Sequence, residues 1–273
     1  MKLFLILILT ALLLALTPAC AAEAGTELEI YCFRAGKADA FLITTPDSAV
    51  LMDCGLKSLG GDIVEELRSR GIRRLDALII THFDKDHVGG AARVIESIPI
   101  GTVYQNDCLR DSSQVESYLA ALEKAGITPV TVTADMSFSL DSVSWRIDAP
   151  AGDYEKDISN NNSLIITVKN GGDTLVFMGD AEKARIEEYL MSRPGKADFL
   201  KVPHHGAMED NSAALFGTLQ ADAAVITSSD DEPEDGDVVK LLEEAGGQVY
   251  LTRQGPVTFR TSGRGILASQ EED

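Results

Sequence analysis

Thr81-His82-Phe83-Asp84-Lys85-Asp86-His87-Val88-Gly89-Gly90 places two histidines and two aspartates within six positions, directly after the apolar run Leu75–Thr81. Apart from Asp76 the run is apolar, and one of that length reads as a strand covered on both faces, so the cluster sits at a strand's C-terminal end. Alternate residues of an extended turn face the same way. His82, Asp84 and Asp86 can therefore converge on one pocket, while His87 follows from the opening of the next helix. Gly89 and Gly90 let the backbone come close there. A polar loop of ion pairs is the plainer reading, but it does not explain why half of the chain's four histidines lie in it.

The other two histidines are adjacent, in Lys201-Val202-Pro203-His204-His205-Gly206, again after an apolar strand-like run. Between the pairs, Phe177-Met178-Gly179-Asp180 is a third strand running into a Gly-Asp turn, and it supplies a carboxylate able to bridge two cations. Ligands gather at the carboxyl ends of strands in open α/β architectures. Three such ends predict one metal site made by His82, Asp84, Asp86, His87, Asp180 and one of His204 and His205.

Outward from these motifs the chain alternates strand-like and helix-like segments. Strands are expected at 28–33, 40–45, 49–53, 75–81, 142–148, 164–169, 174–178, 199–202, 223–227, 248–252 and 257–260, with helices at 63–70, 91–97, 114–124, 182–191 and 238–245. Gly126 marks the end of one helix, and Asn170-Gly171-Gly172-Asp173 marks a hairpin. Hairpins beside crossover helices favour two sheets packed face to face with helices outside, a four-layer αββα sandwich, over a doubly wound sheet. We expect one domain over 27–265, a disordered acidic tail at 266–273, and a solvated acidic loop at Ser228–Asp237.

The N-terminus stands apart from the fold. Lys2, the apolar run Leu3–Leu16 and small residues at Ala19, Ala21 and Ala22 read as a signal peptide over 1–22. The run is short for a bilayer span, which wants about 20 apolar residues. Cys20 admits two readings, the lipidated residue of a lipoprotein signal or part of an ordinary small-x-small cleavage site. Either predicts an extracytoplasmic protein, secreted or lipid-anchored, that meets the membrane only through this segment. Cys32, Cys54 and Cys108 are odd in number and widely spaced, which suggests no disulfide framework.

With 24 Lys+Arg against 43 Asp+Glu the net charge is −19, which argues against a stable nucleic-acid partner or a basic groove for a polynucleotide. A local anionic substrate stays possible, because bound divalent cations reverse the field at a site.

In its motif order the chain resembles the metallo-β-lactamase superfamily, and within it the hydrolase domain of ComEC-type competence proteins and some bacterial surface phosphodiesterases. The matching elements are Gly36-Lys37-Ala38-Asp39-Ala40, Asp53-Cys54-Gly55, His82 to His87, Asn160 to Ser163, Gly179-Asp180 and His204-His205-Gly206. The resemblance implies that His82 and Asp84 serve a first metal, Asp86 and His87 a second, that Asp180 bridges, and that His205 is the late ligand. It makes Asp39 and Asp53 orienting groups. Three departures stand out. Ala38 replaces a glycine, Asn161 or Asn162 stands where the superfamily has its middle histidine, and Asp230 to Asp235 stands where the branch has a His-Pro pair.

The function expected from this is hydrolysis of a phosphodiester, small or carbohydrate-linked, by hydroxide generated at the cation. Asp86 would help hold the nucleophile, and His204 would meet the substrate or leaving group. One or two divalent ions are implied, zinc first, with manganese or iron tolerated by a carboxylate-rich site. The alternatives are a lactam, lactone or thioester hydrolase of the same fold, and a non-catalytic surface protein with a degenerate site.

Overall fold

The computed structural model describes residues 24–152, 154–155 and 158–271. The expected signal peptide at 1–22, with Cys20, lies outside them. Strands β1 (Leu28–Cys32), β2 (Phe41–Thr44), β3 (Ala49–Met52), β4 (Leu75–Ile80), β5 (Ile100–Gln105) and β6 (Val130–Thr131) form a first sheet. A second sheet holds β7 (Met136–Leu140), β8 (Val143–Asp148), β9 (Ile165–Asn170), β10 (Asp173–Phe177), β11 (Phe199–Lys201), β12 (Ala223–Ile226) and β13 (Gln248–Leu251). The chain then returns to the first sheet, where β14 (Val257–Thr261) pairs with β1 in the register Ile30 to Phe259, and β15 (Leu267–Gln270) pairs with β14.

Three separate apolar layers define the architecture. One joins side chains of both sheets, among them Ile30, Phe41, Ile79, Trp145, Phe177, Phe199 and Phe259, and so lies between the sheets. The second packs the outer face of the first sheet against helices α1 (Leu59–Ser69), α3 (Ala91–Ser97) and α4 (Ser113–Ala125), which follow and precede the four-residue helices α2 (Lys85–Val88) and α5 (Ile158–Asn161) in the chain. The third packs the second sheet against α6 (Lys183–Met191), α7 (Ser212–Leu219) and α8 (Gly236–Glu244). The result is the expected αββα sandwich. β4 shows why its sequence is apolar from Ala77 onward: Leu78 and Ile80 face the helices while Ala77 and Ile79 face the partner sheet.

Two local expectations hold in detail. Gly126 closes α4 in the left-handed conformation, and Asn170 pairs with Asp173 across the hairpin. The acidic tail needs correction. Residues 267–270 form an edge strand, held by the β14 ladder and by Gln270 Nε2, which donates to Leu251 O at 2.7 Å and Gly255 O at 3.0 Å. The segment Ser228–Asp237 is only partly a solvated loop, because the Glu234 side chain is 7% exposed and ion-pairs with Arg253. Strands β5, β6 and β7 and helices α5 and α7 are additions that sequence periodicity did not suggest.

Parallel pairing positions the site. β3 runs parallel to β4 in one sheet, and β10, β11 and β12 run parallel in the other. Asp53 follows β3, His82 follows β4, Asp180 follows β10, the two adjacent histidines follow β11 and Thr227 follows β12. All lie at carboxyl ends.

Candidate metal centre

The turn after β4 becomes helical sooner than an extended turn would. Asp84 occupies the N-cap position of α2, so Asp86 and His87 project from its first turn, and Asp39 N donates to Asp86 O at 3.0 Å. After β11 the chain takes left-handed values at His204 (φ 45°) and His205 (φ 53°), conformations that cost free energy for ordinary residues and often mark functional sites. Asp53, at φ 54°, is a third.

Asp86, His87, Asp180 and His205 bring their ligand atoms within 4.8 Å of one another. One oxygen is the focus. Asp180 Oδ2 lies 3.1 Å from His87 Nε2, 3.1 Å from His205 Nε2 and 3.9 Å from His82 Nε2, and Asp86 Oδ2 is 3.5 Å from His205 Nε2. None of the three Nε2 atoms has a hydrogen-bond partner among the described residues, although all are buried. Buried donors and acceptors are ordinarily satisfied, and three imidazole nitrogens without hydrogen-bond partners around one carboxylate oxygen fit the ligand set of a divalent cation. The donor set of imidazole and carboxylate suits a divalent transition metal.

Each ring is turned by its other nitrogen, the usual arrangement for a ligating histidine. His87 Nδ1 meets Asp53 Oδ2 at 2.8 Å, and Asp53 also accepts from Thr81 N and Thr81 Oγ1 at 2.8 and 2.7 Å. His205 Nδ1 meets Thr227 Oγ1 at 2.9 Å, and Thr227 Oγ1 donates to Asp39 Oδ1 at 2.6 Å. His82 Nδ1 lies 3.2 Å from Thr81 Oγ1 and 3.4 Å from Ser163 Oγ. Asp39 and Asp53 thus stand behind the ligands as orienting groups.

The electrostatics follow from burial and neighbours. Burial, then His87, lower the His82 imidazole to about 4, leaving a free lone pair at neutral pH. Burial also opposes charge on His205, but Asp180, Asp86 and Asp39 outweigh it and hold the ring at about 9. Asp86 resists its own burial through His205 and His87 and falls to about 2. Protons on His87 and His205 therefore balance the carboxylates wherever no cation does.

The structure separates three other expected residues from this group. Asp84 Oδ1 accepts from Arg110 Nη1 and Ser159 Oγ. Asn161 Oδ1 accepts from Arg185 N at 3.0 Å, and Asn162 Nδ2 donates to Ile158 O at 2.6 Å, so both brace α5. The asparagine beside the site is Asn160, whose Nδ2 is 3.4 Å from His204 Nε2. His204 sits next to the group with Nδ1 3.3 Å from Glu182 Oε1. Lys201 was missed by sequence reasoning. Its ammonium is buried, 2.5 Å from Asp39 Oδ2, 2.7 Å from Gly179 O and 3.3 Å from Asp180 Oδ1. A lysine inside the buried strand Phe199–Lys201 was the available signal, since a buried ammonium requires a carboxylate partner.

The fold and this centre together define a class. The family described as the metallo-beta-lactamase superfamily matches residues 34–228, and the chain belongs to it. Among curated proteins it is 28% identical over 214 residues to ComE operon protein 3 of Bacillus subtilis, covering 76% of this chain and 27% of that protein. Competence protein ComA of Neisseria gonorrhoeae is 28% identical over 207 residues, with 74% and 27% covered. The chain thus spans about a quarter of the length of these relatives. Of solved structures, the metallo-beta-lactamase fold protein YhfI from Bacillus subtilis superimposes with a TM-score of 0.57 at 15% identity, over 86% of this chain and all of that one.

Proposed function

We propose that the chain is an extracytoplasmic phosphodiesterase whose Asp86, His87, Asp180 and His205, with His82 beside them, hold one or two divalent cations, zinc first. The observation that carries the metal assignment is the convergence of three orphaned Nε2 atoms on Asp180 Oδ2. A divalent cation held there would supply positive charge to phosphoryl oxygens and acidify water towards neutrality. Asp53, Thr227 and Asp39 keep the imidazoles aimed. Lys201 takes up Asp180 Oδ1, which leaves Oδ2 for the centre. Glu182 Oε1 lies 3.3 Å from Nδ1 of His204, and Nε2 makes only a long 3.4 Å contact with Asn160 Nδ2, so a substrate oxygen could compete for it.

A phosphodiester is favoured over a lactam by the carboxylate-rich donor set and by similarity to the competence proteins. The −19 charge disfavours a standing nucleic-acid complex. The N-terminal sequence supports export, and no helix among the described residues is long and apolar enough to cross a membrane. Metal analysis of purified protein, with a screen of phosphodiester, lactam and thioester substrates, tests the activity. Asp180→Asn should lose most metal and nearly all turnover; full metal and normal turnover in that variant would place the site elsewhere. Mass spectrometry of cell-derived protein should find a mature chain beginning at or just after Cys20, and an intact Met1 would refute export by cleavage.

A further inference from the structure

Beside the metal centre lies a cavity of about 500 Å³ whose wall includes Asp84, Leu109, Arg110, Glu155, Ile158 and Asn160. It adjoins the site, since Asp84 stands at the N-cap position of the helix carrying Asp86 and His87, and Asn160 touches His204 and Glu182. We propose that this cavity receives one ester arm of the substrate, and that the arm is uncharged and hydroxylated with an apolar face, as in a glyceryl or sugar group. The inference rests on the phosphodiesterase reading above.

The charges of the described lining residues disfavour the anionic alternative. Among the described residues lining the cavity Arg110 is the cation, and it is already committed to Asp84, while Glu155 adds a second carboxylate. An arm carrying a further phosphate would face two carboxylates across one neutralised guanidinium, and like charges in a partly desolvated cleft repel strongly. A polynucleotide is such an arm. The apolar part of the cavity points the other way: Leu109 is 50% exposed and Ile158 52% exposed, two of the few large hydrophobic side chains open to solvent among the described residues, and both line this one cavity. Asn160 supplies the polar anchor. Its Oδ1 is buried with no hydrogen-bond partner among the described residues, while its Nδ2 is held by Glu182 at 2.7 Å. A buried lone acceptor is costly unless a ligand donates to it, and a hydroxyl does so without bringing charge.

Symmetric diesters test this without deciding which arm leaves. Metal-loaded wild type is assayed by phosphorus NMR on bis(glyceryl) phosphate and on bis(phosphoglyceryl) phosphate, whose arms each carry an extra phosphate. The neutral diester should be favoured in kcat/KM by about 10-fold or more. Glu155→Lys should shrink that preference by about 10-fold, and the double variant Leu109→Ser, Ile158→Ser should raise KM for the neutral diester by about 10-fold with wild-type metal content. Equal use of both diesters, or a preference and KM that neither variant moves, overturns the arm site while leaving the phosphodiesterase reading intact. No turnover of either diester by metal-loaded wild type overturns the phosphodiesterase reading, and this inference with it.

Discussion

The two adjacent histidines divide their work because the left-handed turn at φ 45° and 53° sends successive rings to different places. His205 enters the buried group, 3% exposed, whereas His204 turns to Glu182 with its side chain 25% exposed. His205→Ala should lower metal content and turnover together. His204→Ala should keep its metal and lose about 10²–10⁴-fold in rate, the range for one acid–base residue. Metal stoichiometry and turnover measured on both variants decide it, and metal loss confined to His204→Ala would reverse the assignment. Protonation sets a second expectation. The folded His205 imidazole sits at about 9, above its ordinary 6.5, so its charged form stabilises the metal-free protein below pH 6.5 and that contribution disappears as pH rises through 9. A cation must displace that proton. Metal affinity should therefore climb by about tenfold per pH unit for each proton released, up to about pH 9, which competition titrations would show; pH-independent affinity would contradict protonated ligands.

Among the elements, the joint between α1 and the metal motif depends on glycines. A Cβ on Gly90 would stand 2.3 Å from Cys54 O and 3.0 Å from Gly60 Cα, and one on Gly60 would stand 2.8 Å from Gly90 O. The same joint carries the bonds Cys54 N to His87 O at 2.7 Å and Gly90 N to Gly55 O at 3.2 Å, so the turn holding Asp53 and the helix holding His87 are one unit. Gly90→Ala must separate them. The expected cost is about 1–3 kcal/mol of stability, the range for overpacking, with weakened metal binding because His87 moves off Asp53. Chemical denaturation and metal titration would check both, and wild-type values in each would show the contact to be compliant.

For the whole molecule, the centre lies where two sheets meet, with His82 and His87 from the first half and Asp180 and His205 from the second. A cation bound there ties the halves together and adds to stability by mass action. Chelation should lower the melting temperature, and the gap between loaded and chelated protein should widen from pH 6.5 to 9 as the metal-free form loses its His205 charge. Calorimetry across that range is the check. A melting temperature indifferent to chelator would mean that no cation is bound by the native fold.

The sandwich and most of the site were legible in the sequence because both depend on local signals. The run 75–80, apolar except for Asp76, reads as a strand buried on both faces, and a His-x-Asp-x-Asp-His cluster at its end has few uses besides metal. Local pattern could not order the partners of each side chain. Asp84, next in line with the ligands by spacing, is drawn to Arg110 and Ser159, residues 26 and 75 positions away. Lys201 became part of the centre only because β10 and β11 lie parallel and bring its ammonium against Asp180 and Asp39. The strand at 267–270, polar enough to read as a tail, is held by a ladder whose partner β14 belongs to a sheet begun more than 200 residues earlier. The sequence by itself determined which residues could ligate and which runs must be buried, since these follow from side-chain chemistry and periodicity. Only the tertiary structure decided which carboxylates face the centre and which stand behind it, because that choice is made by hydrogen bonds and charges between segments distant in the chain.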